Sequence, residues 1–106
     1  MKKTLALLAA VLLCLSLAAC GSSKEKKFTV GICQLVRHDA LDAATKGFKD
    51  ALIKEFGDKV TFDEQLAQGE PAICSTIVNG FVSSKVDLIM ANATPALQAA
   101  KVIAGE

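Results

Sequence analysis

The residues of this chain that can do chemistry are few. It has four cysteines and one histidine, and no tryptophan or tyrosine. Cys20 stands where an apolar run gives way to small, polar residues, in "LSLAACGSSKEKK". A thiol at such a border can be alkylated as a stable thioether, so a lipid attached there would hold the protein at a membrane. One acyl chain binds only marginally, at about 0.8 kcal/mol per buried CH₂, and firm anchoring takes two or more. Cys33, His38 and Cys74 invite sharper ideas. Their spacing matches no compact zinc pattern, and three ligands are thin for a structural site. A Cys–His nucleophile pair would want a third, orienting group and an oxyanion motif, and neither is visible. Both cysteines can serve as small buried hydrophobes. A disulfide between them stays open, because exported proteins can keep one.

The remaining chemistry is that of binding. Gln34, Arg37 and His38 form one polar cluster, Gln68 and Gly69 a second, and Asn92, Ala93 and Thr94 a third. Amide and hydroxyl groups can hydrogen-bond a small polar solute. Backbone N–H groups at a helix start can receive a carboxylate, and the helix dipole adds about 0.3–1 kcal/mol. Each cluster also has a plain explanation. Thr94-Pro95 suits any helix start, a lone histidine near a helix start is an ordinary capping group, and Asp42 in a first turn complements the dipole. Asn92-Ala93-Thr94 also matches a glycosylation sequon.

These residues need elements to position them. Residues 1–19 read as a signal peptide and stand outside the fold. Lys2 and Lys3 form a positive start, Leu5 to Leu17 an apolar run too short for an ordinary membrane span, and Leu17-Ala18-Ala19 a small-residue cleavage region. Leu-Ala-Ala-Cys resembles the bacterial lipobox, which makes Cys20 the lipidated first residue of the mature protein. Residues 20–27 then read as a flexible tether. Of the twelve basic residues, Lys2 and Lys3 leave with the leader, so the mature chain is near neutral against eleven acidic residues. That balance, without any basic-aromatic stripe, gives no footing for nucleic acid.

Residues 28–106 show the rest. "FTVGIC" is a short apolar strand. Leu41, Ala44, Phe48, Leu52 and Phe56 then recur at helical spacing, with Asp39 as the expected cap and Gly57 as the stop. "KVTFDEQL" alternates as a second strand. Pro71 opens a second helix whose stripe is Ile73, Ile77 and Phe81 with Val78 and Val82 beside it. "VDLIMA" reads as a strand covered on both faces. A third helix follows, with Thr94 as its expected N-cap and Pro95 next. The order βαβαβα implies an α/β fold with a parallel sheet in the order 2-1-3, helices on both faces, and the three strand-end loops at one edge. Such an edge is where ligands bind in open α/β sheets. An apolar third strand at the sheet edge is a liability, and the expectation is therefore that these residues are the N-terminal portion of a longer product.

The pieces "VGICQLVRHDALDAATKGFKDAL", "AQGEPA" and "VDLIMANATPALQAA" resemble the substrate-binding lipoproteins of ABC importers, of the tryptophan/tyrosine type. The resemblance covers nearly all of the chain after the tether. It implies a βαβαβα three-layer sandwich forming part of the first lobe of a type I periplasmic-binding, flavodoxin-like two-lobe fold. It implies capture of a small solute, such as an aromatic amino acid, for a permease and ATPase on the extracytoplasmic face of the cell membrane. The residues expected at the ligand are Gln34, His38, Gln68, Asn92, Ala93 and Thr94, with Cys20 the lipid attachment point. No catalytic residue, metal or cofactor is expected. A surface sensor that signals to a partner is the alternative. A flavodoxin-like or Rossmann-like enzyme is weaker, because "GICQLVRHDA" lacks the G-x-G-x-x-G loop that would cradle a phosphate.

Overall fold

The computed structural model describes residues 26–105. The expected signal peptide, Cys20 and most of the expected tether lie outside the described residues. The elements run β1 (Phe28–Gln34), α1 (Asp39–Phe56), a short 3₁₀ turn (Gly57–Lys59), β2 (Val60–Leu66), α2 (Pro71–Ser83), β3 (Leu88–Asn92) and α3 (Thr94–Ala104). All strand pairs are parallel and the sheet order is β2-β1-β3. The strand and helix order and the central place of β1 agree with the sequence reading.

The pleat of β1 divides the core in two. Val30 and Ile32 face α1 and pack with Val60, Phe48, Leu52, Phe62 and Met90. Cys33 faces the other way, into a cluster built from α2 and α3 that includes Cys74, Ile77, Val78, Phe81, Ala96 and Ala99. One helix therefore covers one face and two cover the other. Gly31 makes the second packing possible, because a Cβ there would sit 2.6 Å from the Phe81 ring.

Several local expectations are corrected. His38, not Asp39, is the N-cap of α1, and its Nδ1 accepts the Ala40 N–H at 3.1 Å. Thr94 is the first residue of α3 and Ala93 is its N-cap, with no side-chain cap bond. In α1 the buried position is Thr45, while Ala44 and Phe56 are exposed. The α2 stripe is rotated: Cys74, Ile77, Val78 and Phe81 are buried, and Ile73 and Val82 are exposed. In β3, Leu88 is exposed and Ile89, Met90 and Ala91 are half-buried. The expected cover on both faces is therefore incomplete, while the edge position of β3, paired only with β1 among the described residues, is as the 2-1-3 order implied.

Candidate functional site

The parallel sheet brings the ends of β1, β2 and β3 to one edge. Backbone hydrogen bonds join the loops that leave it. Leu35 N–H donates to the Asn92 carbonyl at 3.2 Å, Ala67 N–H to that of Gln34 at 2.9 Å, and Gly69 N–H to that of Leu35 at 2.8 Å. The opposite end of the sheet has its own clamp. There Thr29 N–H donates to Asp87 Oδ2 at 2.9 Å and Asp87 N–H to the Thr29 carbonyl at 2.8 Å. Asp87 thus serves the strand pairing, far from the strand-end loops.

At the edge, two of the expected ligand residues are tied into a buried polar network. Gln34 and Asn92 are paired in register on β1 and β3 and are 1% and 8% exposed. Gln34 Nε2 donates to Asp42 Oδ1 at 2.6 Å and to the Val36 carbonyl at 2.8 Å. Its Oε1 accepts from Thr45 Oγ1 at 2.7 Å and lies 3.4 Å from Asn92 Nδ2. Asn92 Nδ2 also donates to Thr45 Oγ1 and to the Leu41 carbonyl, both at 2.9 Å. Burying such groups is costly unless they are paired, and among the described residues no buried side-chain N or O lacks a partner. Arg37 forms an exposed ion pair with Asp42 at 3.8 Å, a contact worth at most about 1 kcal/mol.

The other expected residues form the rim. His38 is exposed and occupied as a cap. Gln68 is exposed with φ 56°, and Gly69 follows at φ 82°, which makes the turn after β2. Ala93 is half-buried at φ 93° and ψ 157°, a region that only glycine occupies freely and that costs other residues of order 1–3 kcal/mol. Its unusual backbone turns the chain from β3 into α3. No side chain caps α3, and Pro95 has no N–H. The exposed Thr94 N–H therefore stands at the positive end of the helix dipole, as an anion or carboxylate would need, while Ala96 is fully buried. Thr45 was missed by sequence reading, because the apolar period drew attention to Ala44 instead.

The cysteines lie apart from this edge chemistry. Cys33 and Cys74 are free thiols, both fully buried in the α2/α3 core. Burial, and then the neighbouring Cys74 thiol, push the Cys33 pKa up to about 12 from its ordinary 9.0. A thiol held neutral is a poor nucleophile, and His38 is exposed rather than in that core. Among the described residues no group of three His, Cys, Asp or Glu side chains could hold a metal ion. Nor is any described helix long and apolar enough to cross a membrane.

An open parallel sheet with a polar strand-end edge and uncapped helix N–H groups has the architecture of a small-solute-binding α/β lobe. Residues 29–104 match the family model for ABC transporter substrate binding proteins, and the chain belongs to that family. The chain is 43% identical over 82 residues to a tyrosine-binding protein of Clostridioides difficile (strain R20291), covering 74% of this chain and 24% of that one. It also superimposes on a ligand-free, open structure of a substrate binding protein with adhesive properties from Clostridium difficile. That match has a TM-score of 0.68 and 42% identity, over 72% of this chain and 27% of the other. The chain thus spans about a quarter of the length of these relatives. The family is one of binding proteins, not an enzyme class, and its members are extracytoplasmic.

Proposed function

We propose that this chain forms part of an extracytoplasmic solute-binding lipoprotein that captures an aromatic amino acid for an ABC importer. Residues 28–106 supply part of its first lobe, Cys20 carries the lipid after removal of residues 1–19, and residues 20–27 are the tether. The observation that supports the reading most is the uncapped start of α3 at the strand-end edge. There the exposed Thr94 N–H suits the carboxylate of an amino acid. Ala93 and Thr94 approach the solute through their backbone, Gln68 and His38 border it, and Asn92 stands beside it, while Gln34 supports the site from beneath. The tyrosine-binding relative motivates the aromatic class. A second lobe closes over the solute, as pockets that hold small ligands bury most of the ligand surface. A permease and an ATPase receive the loaded protein.

The test is calorimetric titration of the intact protein, as its gene encodes it, with tyrosine, tryptophan and phenylalanine. Saturable binding of at least one, and no response to aspartate or lysine, is the expected result. Failure of all three aromatic amino acids would overturn the assignment.

A further inference from the structure

The network beneath the strand-end edge does more than satisfy buried groups: it fixes which end of the Asn92 amide reaches solvent. Two acceptors, the Asp42 carboxylate at 2.6 Å and the Val36 carbonyl at 2.8 Å, face one end of the Gln34 amide, so that end must be the NH₂ group. Gln34 Oε1 then points at Thr45 and accepts its hydroxyl proton at 2.7 Å. With its proton committed, Thr45 Oγ1 is an acceptor toward Asn92, which must offer its NH₂ end at 2.9 Å. The Leu41 carbonyl at 2.9 Å demands the same end. The chain of directions has one outcome. Asn92 Nδ2 is spent inside, and no hydrogen bond among the described residues reaches Asn92 Oδ1. No buried side-chain N or O among the described residues is without a partner, so this unpartnered oxygen reaches solvent although Asn92 is 92% buried (8% exposed). It does so at the residue immediately before Ala93 and the uncapped α3 N-terminus.

We propose that Asn92 Oδ1 accepts a hydrogen bond from the α-ammonium group of the bound solute, and that Thr45 and Gln34 are positioning residues that hold that oxygen outward. The proposal rests on the reading that the strand-end edge holds the solute. An α-amino acid carries its carboxylate and ammonium on one carbon. The Thr94 N–H at the start of α3 beside one fixed acceptor matches that pair. A bare carboxylic acid would satisfy the helix start and leave Oδ1 unpartnered, and an unmade hydrogen bond to a charged group costs about 1.5–3 kcal/mol.

The experiment is titration of the intact protein with L-tyrosine and with its deaminated analogue, 3-(4-hydroxyphenyl)propionate. For the wild type, tyrosine should bind at least roughly tenfold tighter than the analogue. Thr45→Val removes the hydroxyl at nearly constant volume and loosens the Asn92 amide, which is left with the Leu41 carbonyl as its nearest acceptor. It should weaken tyrosine by roughly 3- to 10-fold, the span of one net hydrogen bond, and leave the analogue unchanged. Thr45→Ser should restore tyrosine binding. Val78→Ala, in the core on the opposite face of the sheet, should lower the melting temperature without this selectivity. The wild type also tests the lock without any variant, because the Asn92 side-chain amide protons should exchange slowly with solvent. Tyrosine binding with no preference over the analogue, or equal loss of both ligands in Thr45→Val, would overturn the proposal and leave the strand-end site standing. Failure of the wild type to bind either compound would overturn the reading of the site itself, and this proposal with it.

Discussion

Ala93→Gly should make the protein more stable and its solute less tightly held. Ala93 sits at φ 93° and ψ 157°, where the strain on a non-glycine residue is of order 1–3 kcal/mol. Glycine relieves it. Against this, glycine gains freedom in the unfolded chain, which costs about 0.4–1 kcal/mol. Ala93 is half-buried, and losing half a methyl group's burial costs about 0.4 kcal/mol more. The balance is a gain of roughly 1 kcal/mol, within a range from about −0.4 to about 2.2. Binding should move the other way. Alanine holds the turn that presents the Thr94 N–H, and a glycine must be ordered by the ligand. Whatever part of that 0.4–1 kcal/mol the ligand-free fold does not take up then appears as a loss of affinity of at most roughly fivefold. Urea unfolding of the ligand-free intact protein gives the first quantity, and calorimetric titration with L-tyrosine gives the second. A stability loss of about 1 kcal/mol or more would refute the strain argument. Unchanged affinity would show that the ligand does not order this turn.

Gly31→Ala places a Cβ 2.6 Å from the fully buried Phe81 ring, so urea unfolding should show a loss of about 1–3 kcal/mol from overpacking; an unchanged midpoint would mean that α2 can move off the sheet freely. Cys33 makes stability fall at alkaline pH. Its folded pKa is raised from 9.0 to about 12, so the contribution is fully present below pH 9 and is lost as pH rises toward 12, with a slope of at most about 1.4 kcal/mol per pH unit. Cys33→Ala should flatten that slope, and identical slopes in wild type and variant would count against the burial argument. The double variant Cys33→Ala with Cys74→Ala should keep a cooperative melt, since both wild-type residues are free thiols in an apolar cluster; loss of folding, with a wild-type mass two units low before reduction, would show a disulfide instead. Labelled palmitate should enter the wild type and not Cys20→Ala, and equal labelling would remove the lipid anchor.

The fold was largely legible because its signals are local. Alternation in "KVTFDEQL", helical spacing from Leu41 to Phe56, and Pro71 and Pro95 at helix starts all report on the nearest few residues. Caps were misplaced by one residue, at His38 and at Ala93, because several polar side chains compete at each boundary and only the backbone torsions decide. The edge position of β3 followed from the 2-1-3 order, but its cover was overread, because an apolar run signals burial without naming what does the burying. At the site, sequence picked out Gln34 and Asn92 as polar residues at strand ends. Their pairing across β1 and β3 and their shared partner Thr45 depend on contacts 47 and 58 residues apart along the chain. No local pattern carries such information. Thr45 in particular looks like any helix residue until Asn92 is placed beside it.

The measurement that bears most directly on the account is a pair of ¹⁵N–¹H spectra of the intact protein, with and without saturating L-tyrosine. The account predicts that, within residues 26–105, the large amide shifts gather at the strand-end edge. They should fall on the loop after β1, at Gln68 and Gly69, and above all at Ala93, Thr94 and Ala96, with the Asn92 side-chain amide among them. Thr29 and Asp87, which clamp the other end of the sheet, should stay still. Shifts concentrated around Thr29 and Asp87, with Ala93 to Ala96 unmoved, would contradict it.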